Sequence, residues 1–131
     1  MLRINTPLPD DSEKLVHDII GCCIAVHREL GPGLLETIYT RAVGIELEAR
    51  GIPFEVEKAI PVHYRGQPLC HQRLDLFIDK RVVLEIKSVD ILHPIHMAQV
   101  ISYLRVTRTR VGLLVNFNVP VLKHGVRRVV L

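Results

Sequence analysis

Residues 74–87 read Leu74-Asp75-Leu76-Phe77-Ile78-Asp79-Lys80-Arg81-Val82-Val83-Leu84-Glu85-Ile86-Lys87. Two aliphatic, β-branched runs joined by a charged break are the pattern of a β-hairpin. Glu85 and Lys87 are two apart, so on a strand they share one face, and Val82, Leu84 and Ile86 share the other. Burying the aliphatic face sends the charged pair into a polar cleft. Register decides whether Asp75 joins them. With Asp79-Lys80-Arg81 as a three-residue loop, Ile78 pairs with Val82 and Asp75 lies opposite Glu85. A two-residue loop at Asp79-Lys80 sets Asp75 against Leu84 and sends the carboxylates to opposite faces. The longer loop also places Leu74, Leu76 and Ile78 on the face of Val82, Leu84 and Ile86, so the hydrophobic pattern favours clustered carboxylates. The loop has no glycine, which leaves its turn type open. A carboxylate pair suits a hard divalent cation, and a lysine beside it suits an anionic group such as phosphate.

Outward from this hairpin the chain divides readily. Residues 1–10, with Pro7 and Pro9, read as an arm. Asp11-Ser12 can cap a helix running to about Leu30, with Leu15, Ile19, Cys22, Cys23 and Val26 on its apolar stripe. Gly31-Pro32-Gly33 breaks it, and a second helix runs from Leu34 to Arg50, stopping at Gly51. A strand region spans Ile52 to Tyr64, with Gly66-Gln67-Pro68 as a turn. After the hairpin, Pro94 opens a third helix reaching about Thr107. Val111 to Phe117 is an apolar run expected of a strand buried on both faces, and a last strand covers Val126 to Leu131. The order α-α-β-β-β-α-β-β predicts an α/β (α+β) fold, a mixed sheet flanked by helices, with the third helix crossing between parallel strands. Neither GxGxxG nor GxxxxGK[ST] is present, so this is no doubly wound nucleotide fold.

With 131 residues, 48% hydrophobic and 24% charged, the chain is expected to form one domain over 1–131. A net charge of +3 permits nucleic-acid binding without demanding it. Arg105, Arg108 and Arg110, then Lys123, Arg127 and Arg128, form basic runs that can grip phosphates; a solvated helix end and edge strand would look the same. Three cysteines, with no CxxC pairing, argue for reduced thiols in a cytoplasm-like compartment. No signal peptide is visible, and Ile19–Val26 is too short to span a bilayer. The expectation is a cytoplasmic protein with no membrane partner.

Other residues are weaker alone. Glu36 lies near the start of the second helix, where a glutamate also simply complements the helix dipole, and Tyr39 is one turn on. His96, Gln99 and Tyr103 can share one face of the third helix. His93 and His96 have a ligand-like spacing, but zinc wants nitrogen and sulfur whereas the hairpin offers oxygen, which points to magnesium or manganese. No serine elbow or activated cysteine suggests covalent catalysis.

Taken together these residues resemble the PD-(D/E)xK nuclease superfamily, and within it the small GxxExxY protein family. That motif stands here as Gly33-Leu34-Leu35-Glu36-Thr37-Ile38-Tyr39; the acid and ExK element match Asp75 and Glu85-Ile86-Lys87; QxxxY stands as Gln99-Val100-Ile101-Ser102-Tyr103. Gly112-Leu113-Leu114-Val115-Asn116-Phe117 and Gly125-Val126-Arg127-Arg128 are also similar, so the resemblance runs from about Val26 to the C-terminus. Relatives tend to carry a glycine where Cys70-His71-Gln72 stands. The resemblance implies a restriction-endonuclease-like core that hydrolyses phosphodiester bonds of DNA, or RNA, by metal-activated water. In it, Asp75 and Glu85 would ligate Mg²⁺ (or Mn²⁺), helped by the Ile86 carbonyl, and Glu36 would reach the metal or its water. Lys87 would orient the water or stabilise phosphate charge, and Gln99 would steady the site. Tyr39, Tyr103, Arg105 and Arg108 would contact the substrate. Specificity would come from the core, a homodimer partner or another protein. The competing expectation is an inactive nucleic-acid-binding or protein-interaction module that keeps the fold.

Overall fold

The computed structural model describes residues 7–131, so most of the expected arm lies outside the described residues. Its elements are α1 (Asp10–Leu30), α2 (Glu36–Ala49), β1 (Phe54–Tyr64), β2 (Gln67–Ile78), β3 (Val82–Lys87), α3 (Pro94–Thr107), β4 (Val111–Asn116), a 3-10 turn (Leu122–Gly125) and β5 (Val126–Val130). The five strands form one sheet in sequence order. β3 and β4 are parallel, joined across α3, and the other neighbours are antiparallel. This is the expected α+β architecture. Two helix starts differ by a residue or two: α1 begins at Asp10 behind Pro9, without the Asp11-Ser12 cap, and α2 begins at Glu36 rather than Leu34.

The hairpin register is the one that clusters the acids, with Ile78 opposite Val82 and Leu76 opposite Leu84. Its loop needs no glycine because Asp79 and Lys80 themselves take left-handed backbone, φ 50° and 54°. The Asp79 carboxylate holds the Arg81 guanidinium at 2.8 Å, and Arg81 N–H donates to the Ile78 carbonyl at 3.0 Å. The β1–β2 turn is shorter than expected. Arg65-Gly66 alone makes it, both at positive φ, and Gln67 and Pro68 already belong to β2. This is the backbone twist that two-residue hairpins favour.

Each sheet face carries a helical layer. α1 and α2 cover Leu76, Ile78, Val82, Leu84, Ile86, Leu113 and Val115. α3 covers Phe77, Val83, Leu114 and Val129 on the other face. It lies directly on β4, since a Cβ at Gly112 would stand 2.6 Å from a Val100 methyl. β4 is buried on both faces, as its apolar run predicts.

One expectation about the hairpin fails. Leu74 does not share the face of Leu76 and Ile78; it is packed in the α3 layer. Its neighbour β1 changes face at the same level. Phe54 packs towards α1 and α2, whereas Ile60 belongs to the α3 layer. Between them Glu57 adopts φ 51°, and the ladder that pairs Val56 with Leu76 and Lys58 with Leu74 has no pair at Glu57–Asp75. A left-handed residue thus kinks the ribbon and exchanges its faces. Asp75 lies at the kink.

Candidate active site

The backbone ladder between β2 and β3 ends at Leu76–Leu84. Beyond it, the two acids continue the pairing with their side chains. Asp75 N–H donates to Glu85 Oε1 at 2.8 Å, and Ile86 N–H donates to Asp75 Oδ2 at 2.8 Å. Each carboxyl is therefore oriented by the other strand's backbone through a charge-assisted bond. The two carboxyls lie close enough for the charge of each to act on the other.

Burial dominates the electrostatics here. Glu85 is only 5% exposed. Desolvation, then the Asp75 charge, pushes its carboxyl up to about 8. Asp75 is raised too, by desolvation foremost and by Glu36 in smaller part, with the Ile86 N–H and Lys87 opposing. Two acids pressed together in a low-dielectric site cannot both ionise cheaply. Lys87, two residues beyond Glu85 on the same face, stabilises both carboxylates.

α2 brings Glu36 to the rim. Its Oε2 accepts the Ser88 N–H at 3.4 Å, and Ser88 Oγ donates to the Leu34 carbonyl at 2.6 Å, fastening the start of α2 to the end of β3. On the next residue, Val89, the buried Asn116 amide bonds both backbone groups, at 3.0 Å to N–H and 2.8 Å to C=O. Asn116 is the register partner of Lys87, so this clamp fixes the chain leaving the site. Gly125 backs it closely: a Cβ there would fall 2.2 Å from the Asn116 carbonyl oxygen. Ser88 and Asn116 escaped the sequence reading. A polar residue closing an apolar strand was the available signal for Asn116.

From α3, Tyr103 is nearly buried, and its phenol is pushed up by burial first and by Glu85 and Asp75 next. It therefore keeps its proton, within electrostatic reach of both acids. Gln99 and Arg105 lie along the same helix on an open cleft between α3 and the β1–β2 ribbon. Two expected substrate residues stand elsewhere. Tyr39 is fully buried, stacked on Phe117 at 4.5 Å, its hydroxyl donating to the Gly31 carbonyl and accepting from Leu34 N–H. It shapes the Gly31–Gly33 bend and offers no surface to a substrate. Arg108 caps the C-terminus of α3 in left-handed backbone. β4 starts beside Val82 and ends beside Lys87, so Arg108 lies at the sheet end opposite the acids.

Two clefts border the β1–β2 ribbon, and Asp75 lines one of them. One, of about 510 Å³, runs between α2 and β1 and is lined by Glu36, Glu48, Glu57, Asp75 and Arg41 among others. The other, of about 390 Å³, is the α3 cleft, which carries Arg105 and no carboxylate.

Among the described residues, no group of three or more His, Cys, Asp or Glu side chains forms a metal cage. The donor set still fits one cation. Asp75 and Glu85 offer oxygen only, pre-oriented and desolvated, and Mg²⁺ is commonly held by one or two carboxylates with water and phosphate completing its shell. Glu36 stands at the rim, acting on Asp75 through its charge.

A model of the PD-(D/E)XK nuclease superfamily matches residues 13–129. The match covers nearly the whole chain, which belongs to that superfamily. A search of curated proteins finds no match. Among the described residues no helix is long and apolar enough to cross a membrane. Membership of a nuclease superfamily implies a nucleic-acid substrate, and such nucleases generally use divalent metals.

Proposed function

We propose that this chain is a Mg²⁺- or Mn²⁺-dependent hydrolase of phosphodiester bonds, with DNA as its substrate, and that it falls in the GxxExxY branch of its superfamily. The observation that carries this reading is the Asp75–Glu85 pair, buried, mutually oriented by backbone N–H groups and raised by desolvation in spite of Lys87. Unpaired buried carboxylates cost stability unless something compensates them. Asp75 and Glu85 would hold the cation, with the Ile86 carbonyl and Glu36 as further oxygen donors. When bound, the cation would supply Lewis-acid charge to the phosphate and compensate the buried carboxylates.

The chain's own groups do the rest. Lys87 sets a fixed ammonium against the phosphate, where charge develops as the phosphorus is attacked. Tyr103 presents a protonated hydroxyl to the same space. Asn116 and Ser88 hold the backbone after Lys87, so the ammonium cannot drift with that loop. Attack is direct, by water, without a covalent enzyme intermediate. The reading places the protein in the cytoplasm, with sequence preference supplied by a second copy or another protein.

The test is cleavage of plasmid and single-stranded circular DNA by the full chain. Cleavage is expected with Mg²⁺ or Mn²⁺, is lost in EDTA, and is lost in Glu85→Ala and Lys87→Ala. A protein that leaves both DNAs intact, and shows no heat or proton release when titrated with either cation, would sink the reading.

A further inference from the structure

The two clefts that border the β1–β2 ribbon differ in the charge they present. Four carboxylates meet one arginine in the α2–β1 cleft, while the α3 cleft is free of carboxylates and carries Arg105. A phosphate backbone bears one negative charge per nucleotide, so it is repelled from the first and accepted by the second. The floor of the α3 cleft is aliphatic, formed in part by Ile60, Val62 and Ile95. Ile95 is 62% exposed, an apolar side chain with no cover. A duplex would bring chiefly sugars and phosphates to such a floor, because its base faces are stacked inside. Unpaired bases instead present flat apolar faces for burial and polar edges for hydrogen bonds. Gln72 from the ribbon and Gln99 from the helix bring amides to the same cleft, and Tyr103 links it to the acids.

We infer that the α3 cleft holds an unpaired segment of DNA beside the scissile phosphate, with the bases on the aliphatic floor, Gln72 and Gln99 at their edges and Arg105 on the backbone. This rests on the nuclease reading for the position of the phosphate, but binding can be read without turnover.

The experiment uses the full chain carrying Asp75→Asn, which keeps an oxygen for the Ile86 N–H and removes a cation ligand. Fluorescence anisotropy compares labelled oligo-dT with a duplex of the same length. Oligo-dT is expected to bind more tightly. Adding Ser102→Glu, an exposed position in the α3 cleft, weakens that binding by about tenfold or more. Arg105→Ala weakens it less and makes its salt dependence shallower, since a phosphate contact is removed. Ile45→Glu, exposed in the α2 cleft, leaves binding unchanged. Duplex binding as tight as oligo-dT, equal losses from Ser102→Glu and Ile45→Glu, or binding of neither DNA would each overturn the inference. Single-strand binding that follows this pattern in a wild-type chain unable to cleave DNA would leave the cleft assignment standing and remove the nuclease.

Discussion

The α2–β1 cleft and the α3 cleft are walled by the same ribbon, yet one is crowded with carboxylates and the other has none. The difference comes from the kink at Glu57. Below it, Phe54 and Val56 face α2 together with Glu57; above it, Ile60 and Val62 face α3. A left-handed residue therefore turns the apolar side of β1 from α2 to α3 and leaves Glu57 beside the α2 carboxylates. Asp75 sits where the two sides meet, turned towards Glu85 by its bonds to β3. The lesson is that a strand's faces need not be continuous, and that the break in alternation marks the site.

The largest expected effect lies on the acid pair itself. Lys87→Ala should lower cleavage by roughly 10²–10³-fold with little change in melting temperature, measured on plasmid DNA under saturating Mg²⁺. An unchanged rate would detach the pair from catalysis and reduce the comparison of clefts to one of shape. Next comes the pH dependence of stability in EDTA. Below about 4.5 Glu85 is protonated in both states; as pH rises, the unfolded chain ionises first while the folded carboxyl holds its proton to about 8. Stability should therefore fall between those values and level off above them. Glu85→Gln, which keeps an acceptor for Asp75 N–H, should abolish most of that fall, on the order of 3–5 kcal/mol at pH 9 by urea denaturation. A parallel pH profile in the variant would show that the carboxyl is not strained by burial.

Asn116→Ala tests the clamp that fixes the chain behind Lys87. Losing both bonds to Val89 should cost about 1–3 kcal/mol of stability and reduce cleavage further than stability alone explains, as read from rates well below the melting temperature. The smallest effect belongs to the acid-lined cleft. Glu48→Lys, at an exposed position, should raise DNA affinity by no more than about threefold without altering the preference for single strands. A switch of preference would mean that DNA uses the α2 side.

Much of this molecule was legible in its residues. The order of elements, the parallel crossover through α3 and the doubly buried β4 follow from periodicity, breaker residues and the apolar run at Val111. The pairing of Asp75 with Glu85 followed from keeping Leu76 and Ile78 on the face of Val82, Leu84 and Ile86. Leu74 was misassigned by the same alternation rule, because the rule assumes an unbroken strand and Glu57 breaks it. The resemblance makes Tyr39 a substrate contact, whereas its ring stacks on Phe117, a contact between distant parts of the chain.

By itself, then, the sequence determined which segments are helices and strands, how the hairpin registers and which acids face each other, because these follow from local spacing and from burying one aliphatic face. Only the tertiary structure decided the kink, the clamp at Asn116, the retreat of Tyr39 into the core, the remoteness of Arg108 and the unequal charge of the two clefts. Those depend on which surfaces meet across the fold, and burial, not spacing, sets the charge state of Glu85 and the polarity of each wall.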